Sequence, residues 1–146
     1  MYNPSRDQAR RFFIDAWRKD QTREVLTPLE GIAAGIVRLH PEYRALLEDP
    51  DAALAREWTP ETGAANPFLH LSLHLAIEEQ LSIDQPIGLR AAFESLLAKH
   101  GDRHAALHVV LECLGETIWK AQRNGGAFDG AGYLDCIRRG AGRAGY

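Results

Sequence analysis

The sequence has few of the features that mark a specialised class of protein. Its two cysteines, Cys113 and Cys136, form no CxxC pair and are too few for a disulfide framework. Because both lie in segments with a helical pattern, we predict reduced thiols in or near the core. No apolar run approaches the ~20 residues of a membrane span, and the polar N-terminus lacks an apolar signal segment. We therefore expect a cytoplasmic protein without membrane contact.

The small net charge and the absence of known catalytic motifs exclude further classes of protein. The chain carries 17 basic and 20 acidic residues, a net charge of -3, which gives no global case for nucleic-acid binding. Short basic runs at Arg10-Arg11 and Arg138-Arg139, followed by Arg143, are interpreted as solvated surface. No glycine-rich phosphate loop and no GxSxG nucleophile motif is present.

The periodicity of the apolar residues is helical throughout, and no stretch alternates with a period of two. We therefore predict an all-α fold, a single helical bundle of five to six helices. At 146 residues the whole chain, 1–146, is expected to be one domain, with 140–146 a mobile tail.

Capping residues and prolines place the helix boundaries. Thr27-Pro28-Leu29-Glu30 is a capping box with proline at the first helical position, and Asn66-Pro67 repeats the cap-plus-proline start. The segment 49–65 is the longest irregular connection, with one helical turn near 52–57. The six longer predicted helices cover 3–19, 28–39, 66–82, 87–99, 102–124 and 130–139, and a short helix is expected over 41–48.

Two of these helices carry the same set of metal-ligating residue types. His70, His74 and Glu78 are spaced i, i+4 and i+8, and the pattern recurs 34 residues later. The second copy consists of His104, His108 and Glu112. Residues four apart lie above one another on one helix face, so each trio forms a stripe of two imidazoles and a carboxylate. This ligand set suits iron or zinc, with manganese as a further candidate.

The helical wheel predicts different surroundings for the two stripes. The first lies on the apolar face of its helix, so we expect Glu78 to point inward, where it needs a cation or hydrogen bonds, and Glu79 outward. The second lies at the edge of the core, with Glu116 one turn further along. Gly115 beside it would either leave room for a ligand or allow close helix packing.

The connectivity predicts how the stripes would face each other. If the helix over 87–99 reverses the chain, the two stripe helices run parallel, and His70 lies level with His104, His74 with His108. About 12 Å separates His70 from Glu78 along the axis, so one ion cannot use a whole stripe. Two ions, or one ion using two layers, fit this spacing better.

Other candidate residues have structural explanations. His40 precedes a proline at a helix end, where an imidazole favourably meets the helix dipole, so capping is preferred to a role as a fifth histidine ligand. Glu30 is assigned to the capping box. Trp17, Trp58 and Trp119 are interpreted as core or loop anchors.

The blocks NPFLHLSLHLAIEEQLSIDQP, ECLGETIWKAQRNG and YLDCIRR resemble an uncharacterised family of small proteobacterial proteins described as a domain of unknown function. The resemblance covers nearly the whole chain and implies a bacterial cytoplasmic protein, but it implies no site residue. In ligand type and helix spacing alone, the stripes also resemble those of hemerythrin-like and di-iron carboxylate bundles. Those families use ExxH or HxxxE units, from which HxxxHxxxE departs.

Two functions follow as hypotheses. The first is a metal-binding bundle with a His/Glu site between the two stripe helices, acting as a mono- or dinuclear oxidase, hydrolase or metal sensor. The second is a non-enzymatic protein–protein interaction module in which a metal-free buried His/Glu network specifies the packing, with the two Arg-Arg pairs as candidate contacts. The sequence does not decide whether the protein is an enzyme, and it predicts no oligomeric state.

Overall fold

All regular structure in the described part of the chain is helical. A computed structural model describes residues 6–58 and 66–140, and within these ranges it confirms the predicted all-α class. The described helices are α1 (Arg6–Gln21), α2 (Pro28–Arg38), a 3₁₀ helix (Pro41–Tyr43), α3 (Arg44–Leu47), α4 (Pro50–Ala55), α5 (Pro67–Ile83), α6 (Leu89–His100), α7 (Arg103–Arg123) and α8 (Gly130–Arg138). Eight α-helices exceed the predicted five to six, because short segments near prolines form helices of their own.

The helix boundaries follow the capping residues closely. The Thr27 hydroxyl accepts a hydrogen bond from the Glu30 amide at 3.2 Å, and the Glu30 carboxylate accepts one from the Thr27 amide at 2.9 Å. This reciprocal pair is the predicted capping box. The Asp102 carboxylate caps α7 in a similar way by accepting from the Ala105 amide. The predicted helix start at Asn3, part of the 49–65 connection and most of the 140–146 tail lie outside the described residues.

The chain divides into two compact units, Met1–Leu75 and Ala76–Tyr146. Helix α5 begins in the first unit and ends in the second. In the first unit α1 packs against α2, α3 and α4. Its core is formed by large buried side chains, which include Phe13, Ile14, Trp17, Val37, Leu47, Phe68 and Leu71. The expectation of one domain stays a prediction.

In the second unit α6, α7 and α8 pack against one another. Their buried apolar residues include Leu89, Phe93, Leu96, Leu107, Val110, Leu114, Leu134 and Ile137. Tyr133 is fully buried, and its hydroxyl donates a hydrogen bond of 2.8 Å to the Gln80 side chain. Burial raises the pKa of this phenol, so Tyr133 stays a neutral donor.

The prediction of reduced cysteines is wrong. Cys113 on α7 and Cys136 on α8 form a disulfide, with their Cα atoms 5.8 Å apart. This distance lies in the usual range for a disulfide, and it arises because the two helices pack side by side. Closing a loop of this length stabilises a fold by about 3 kcal/mol in chain-entropy terms. The cytoplasmic location depended in part on reduced thiols and stays a prediction.

The interpretation of Arg10-Arg11 as solvated surface is wrong for its first member. Arg10 is only 4% exposed, whereas Arg11 is exposed. The Arg10 guanidinium donates hydrogen bonds to backbone carbonyls around the end of α4, and it lies over the rings of Trp58 and Phe68. Arg138 and Arg139 are exposed, as predicted.

Among residues 6–58 and 66–140, no helix is both long enough and apolar enough to cross a bilayer.

Candidate metal centre

Three histidines of the first unit converge on one point. His40 follows the last turn of α2, where Pro41 redirects the chain, and His70 and His74 lie one turn apart on α5. Each can offer a ring nitrogen, and these nitrogens all lie within 4.8 Å of one another. The i, i+4 spacing on α5 stacks two imidazoles, and the His-Pro break at the end of α2 supplies the third. The trio is a group that could hold a metal ion.

The hydrogen bonding of His40 fixes which of its nitrogens faces this point. Its Nδ1 lies 2.8 Å from the backbone carbonyl oxygen of Ile36. A carbonyl only accepts hydrogen bonds, so we assign the ring hydrogen to Nδ1 and the lone pair to Nε2. An Nδ1–H donating to a backbone carbonyl is the typical outer-shell contact of a metal-ligating histidine, because it orients the ring and raises the basicity of Nε2.

The spacing between ring nitrogens matches a coordination sphere. His40 Nε2 and His70 Nε2 are 3.2 Å apart. Two nitrogens bound tetrahedrally to zinc at about 2.0–2.1 Å would lie about 3.3 Å from each other. The His74 ring centre lies 4.8 Å from that of His40 and 4.9 Å from that of His70. The same 3.2 Å separation also suits a hydrogen bond from His70 to His40 without a metal.

Burial and stacking restrict the motion of the trio. His40 and His74 are each 2% exposed, while His70 is half-buried. The Tyr43 ring stacks on His40 with a centroid distance of 5.5 Å and an interplanar angle of 5°. Desolvation, and secondarily the charge of Glu42, raise the pKa of Tyr43. The phenol therefore stays neutral beside the imidazoles. The cluster is thus open on the His70 side and closed at His40 and His74.

The carboxylate of the first stripe has a cation beside it. Glu78 lies in the second unit, half-buried, with its Oε1 3.0 Å from the Arg103 guanidinium at the start of α7. Glu79 is exposed, as predicted. Arg103 is the kind of partner that an inward carboxylate requires. The assignment of Glu78 as a metal ligand stays a prediction.

The second stripe lies half-buried along α7, at the edge of the core of the second unit as predicted. The rings of His104 and His108 are 4.3 Å apart between centroids. Glu116 pairs with Lys120 at 3.1 Å. A Cβ added to Gly115 would meet no atom within 4 Å among the described residues, which favours open space over close helix packing. Ligation by His104, His108 and Glu112 stays a prediction.

Comparison with known proteins gives the family of this chain. A family model described as a domain of unknown function (DUF1841) matches residues 5–139. The chain belongs to this family. Searches of curated proteins and of solved structures find no match. The resemblance seen in the sequence is therefore confirmed at the level of the family, whose description names no activity.

The site differs from the predicted one in its third imidazole. The structure brings His70 and His74 together as expected, and it adds His40, for which capping was preferred. His40 does cap α2, through its bond to the Ile36 carbonyl, and the same bond turns its other nitrogen toward His70. Tyr43 was not predicted at all. No spacing rule connects these residues with α5, because the contact is tertiary.

Glu112 allows a test that is independent of metal. Burial raises the pKa of its carboxyl, so the folded protein holds this proton more tightly than the unfolded chain. The resulting stabilisation is present below the ordinary glutamate pKa and is lost as the pH rises through the raised value. We expect Glu112→Gln to increase the melting temperature of chelator-treated protein at pH 7 but not at pH 3. An equal change at both pH values would contradict the role of the buried charge.

Proposed function

We propose that this protein binds a transition metal ion through His40, His70 and His74. The supporting observation is the convergence of three imidazoles, one of them held by a backbone carbonyl so that its lone pair faces His70. Imidazole is the commonest metal ligand among protein side chains, and it binds in its neutral form. A single HxxxH pair on a helix would be weak evidence, whereas a third imidazole from a separate helix end makes a chelating set.

The ligand set favours zinc or iron over calcium and magnesium, which prefer oxygen ligands. Three histidines leave at least one coordination position for water or a substrate, as in catalytic zinc sites. Bound zinc would supply Lewis-acid chemistry suited to hydrolysis, and bound iron would supply redox chemistry. A sensor would use the same open position to exchange its ion. Ligation by His104, His108 and Glu112 of the second stripe stays a separate prediction from the sequence.

Metal analysis of untagged protein purified without chelator tests the proposal. We expect about one equivalent of zinc or iron per chain, and a melting temperature lowered by several degrees after treatment with EDTA. The shift arises because an ion that binds only the folded state stabilises it by mass action. Adding Zn²⁺ back should restore the melt, and lowering the pH to 5 should weaken binding, because protons compete for imidazole nitrogens.

Metal-free protein whose melting temperature ignores added Zn²⁺, Fe²⁺ and Mn²⁺ would contradict the proposal. In that case the alternative holds, a protein–protein interaction module with a metal-free histidine network. The observation that favours the alternative is the 3.2 Å separation of His40 and His70, which a hydrogen bond explains equally well. Of the arginines predicted as contacts, Arg10 is buried, so the exposed Arg11, Arg138 and Arg139 remain candidates.

A further inference from the structure

The two cysteines of the disulfide differ in their exposure. Cys113, in the middle of α7, is fully buried, with no exposed surface. Cys136, on α8, is 5% exposed and lines a cavity of about 340 Å³ in the second unit. Cys113 is not part of the cavity wall. A reagent that enters the cavity would therefore reach the disulfide from the Cys136 side.

The cavity has the size and the charge of a small-molecule site. Its volume falls at the lower end of the range for ligand pockets, which is about 300–1,000 Å³. Two ion pairs lie in its wall, Lys120 with Glu116 and Arg139 with Asp135, each at 3.1 Å. A wall with both signs of charge is complementary to a ligand that carries both an ammonium and a carboxylate group.

We propose that Cys136 is a site of thiol–disulfide exchange with a small zwitterionic thiol of the amino-acid or short-peptide class. The thiolate attacks Sγ of Cys136 and forms a mixed disulfide there. The Cys113–Cys136 bond breaks, and its electron pair goes to Sγ of Cys113, which takes up a proton. A second thiol then attacks the bound thiol's sulfur and releases Cys136 as a thiolate. Two small thiols are oxidised to one disulfide, and the protein disulfide gains two electrons.

This exchange would give the second unit a redox-dependent link. The disulfide is a covalent cross-link between α7 and α8, which are also joined by the chain segment 124–129 and by packing. Modification at Cys136 replaces that connection with a bound thiol in the cavity. The attachment of α8 would then depend on its packing against α6 and α7, in which Tyr133, Leu134 and Ile137 are buried.

Peptide mapping of the full-length native protein tests the proposal. After incubation with reduced glutathione and acid quenching, we expect the mixed disulfide on Cys136 at least tenfold more often than on Cys113. Protein unfolded in urea should react at both positions. A mixed disulfide mainly on Cys113, or reaction only in urea, would overturn the proposal.

Single-cysteine variants keep the test valid if the intermediate is short-lived. With oxidised glutathione, Cys113→Ser leaves Cys136 available and should be modified at least tenfold faster than Cys136→Ser, in which Cys113 alone remains. Both variants should be confirmed as folded by circular dichroism. Equal rates in folded protein would show that the cavity gives Cys136 no advantage.

The class of thiol has its own test. Lys120→Gln should slow the reaction with reduced glutathione severalfold and leave the reaction with the neutral thiol 2-mercaptoethanol unchanged. Arg123→Gln, an exposed cation on the same helix but outside the cavity, is the matched control and should change neither rate. If Lys120→Gln slows both thiols equally, or slows neither, the recognition of a zwitterionic thiol is wrong.

Discussion

Replacement of His74 by alanine is expected to abolish stoichiometric metal binding. His74 is 2% exposed, and its ring lies within 5 Å of both His40 and His70 between centroids. Loss of an outer-shell partner already weakens metal affinity by about 10–100-fold, so loss of a ligand should cost at least about 100-fold. Calorimetric titration of chelator-treated protein with Zn²⁺ measures this change. His74→Asn, which keeps a polar side chain, separates lost ligation from a cavity in the core.

His100→Ala is the matched control for this variant. His100 is an exposed histidine at the end of α6, outside the cluster, so its removal should leave the Zn²⁺ affinity within twofold. Equal affinities for His74→Asn and His100→Ala would contradict the proposed site. The His108→Ala variant tests the second stripe. We expect it to lose Zn²⁺ affinity only if the sequence prediction for that stripe is right.

Replacement of Arg10 by methionine should lower the free energy of unfolding by about 2–4 kcal/mol. The Arg10 guanidinium donates to the carbonyls of Ala53, Leu54 and Arg56 at 3.0, 3.3 and 2.9 Å. These carbonyls lie at the end of α4, where the last turn lacks intrahelical donors and a cation is electrostatically favoured. Methionine keeps the length of the stem but leaves the carbonyls with one donor fewer. Urea denaturation followed by circular dichroism measures the loss.

The neighbouring Arg11 provides the control. Its side chain is exposed, so Arg11→Met should change the free energy of unfolding by less than about 0.5 kcal/mol. Arg10→Lys should lie between the two, because an ammonium keeps the charge but cannot span several carbonyls as a guanidinium does. An Arg10→Met variant as stable as Arg11→Met would show that Arg6, which also donates to the Leu54 and Arg56 carbonyls, is sufficient.

The helices could be predicted because their ends are specified locally. Thr27 and Asp102 cap the amides that follow them, and Gly101 ends α6 with a φ of +69°, a conformation that side chains other than glycine disfavour. Each signal lies within a few residues of the boundary that it sets. The short helices α3 and α4 were less clear, because they contain only four and six residues and no apolar period develops.

The site could be predicted only in part and the disulfide not at all, for the same physical reason. His70 and His74 share one helix, so their proximity follows from the 3.6-residue turn. The approach of His40 to them depends on how the chain leaves α2, and the Cys113–Cys136 contact depends on how α7 packs against α8. The burial of Arg10 likewise requires the carbonyls of α4, which lie 43 or more positions further along the chain. Single-sequence patterns carry no information on such pairings.

The imidazole of His40 takes part both in the cap of α2 and in the proposed metal site. Its Nδ1–H closes the last turn of α2 on the Ile36 carbonyl, and its Nε2 faces His70 at the proposed metal site. Fraying of that turn would free the ring to rotate and would remove a nitrogen from the cluster. Conversely, an ion held by Nε2 would restrain the ring and protect the turn from opening. Under the proposed function, amide hydrogen exchange at the end of α2 and metal occupancy would therefore be thermodynamically linked, and a measurement of either one would report on the other.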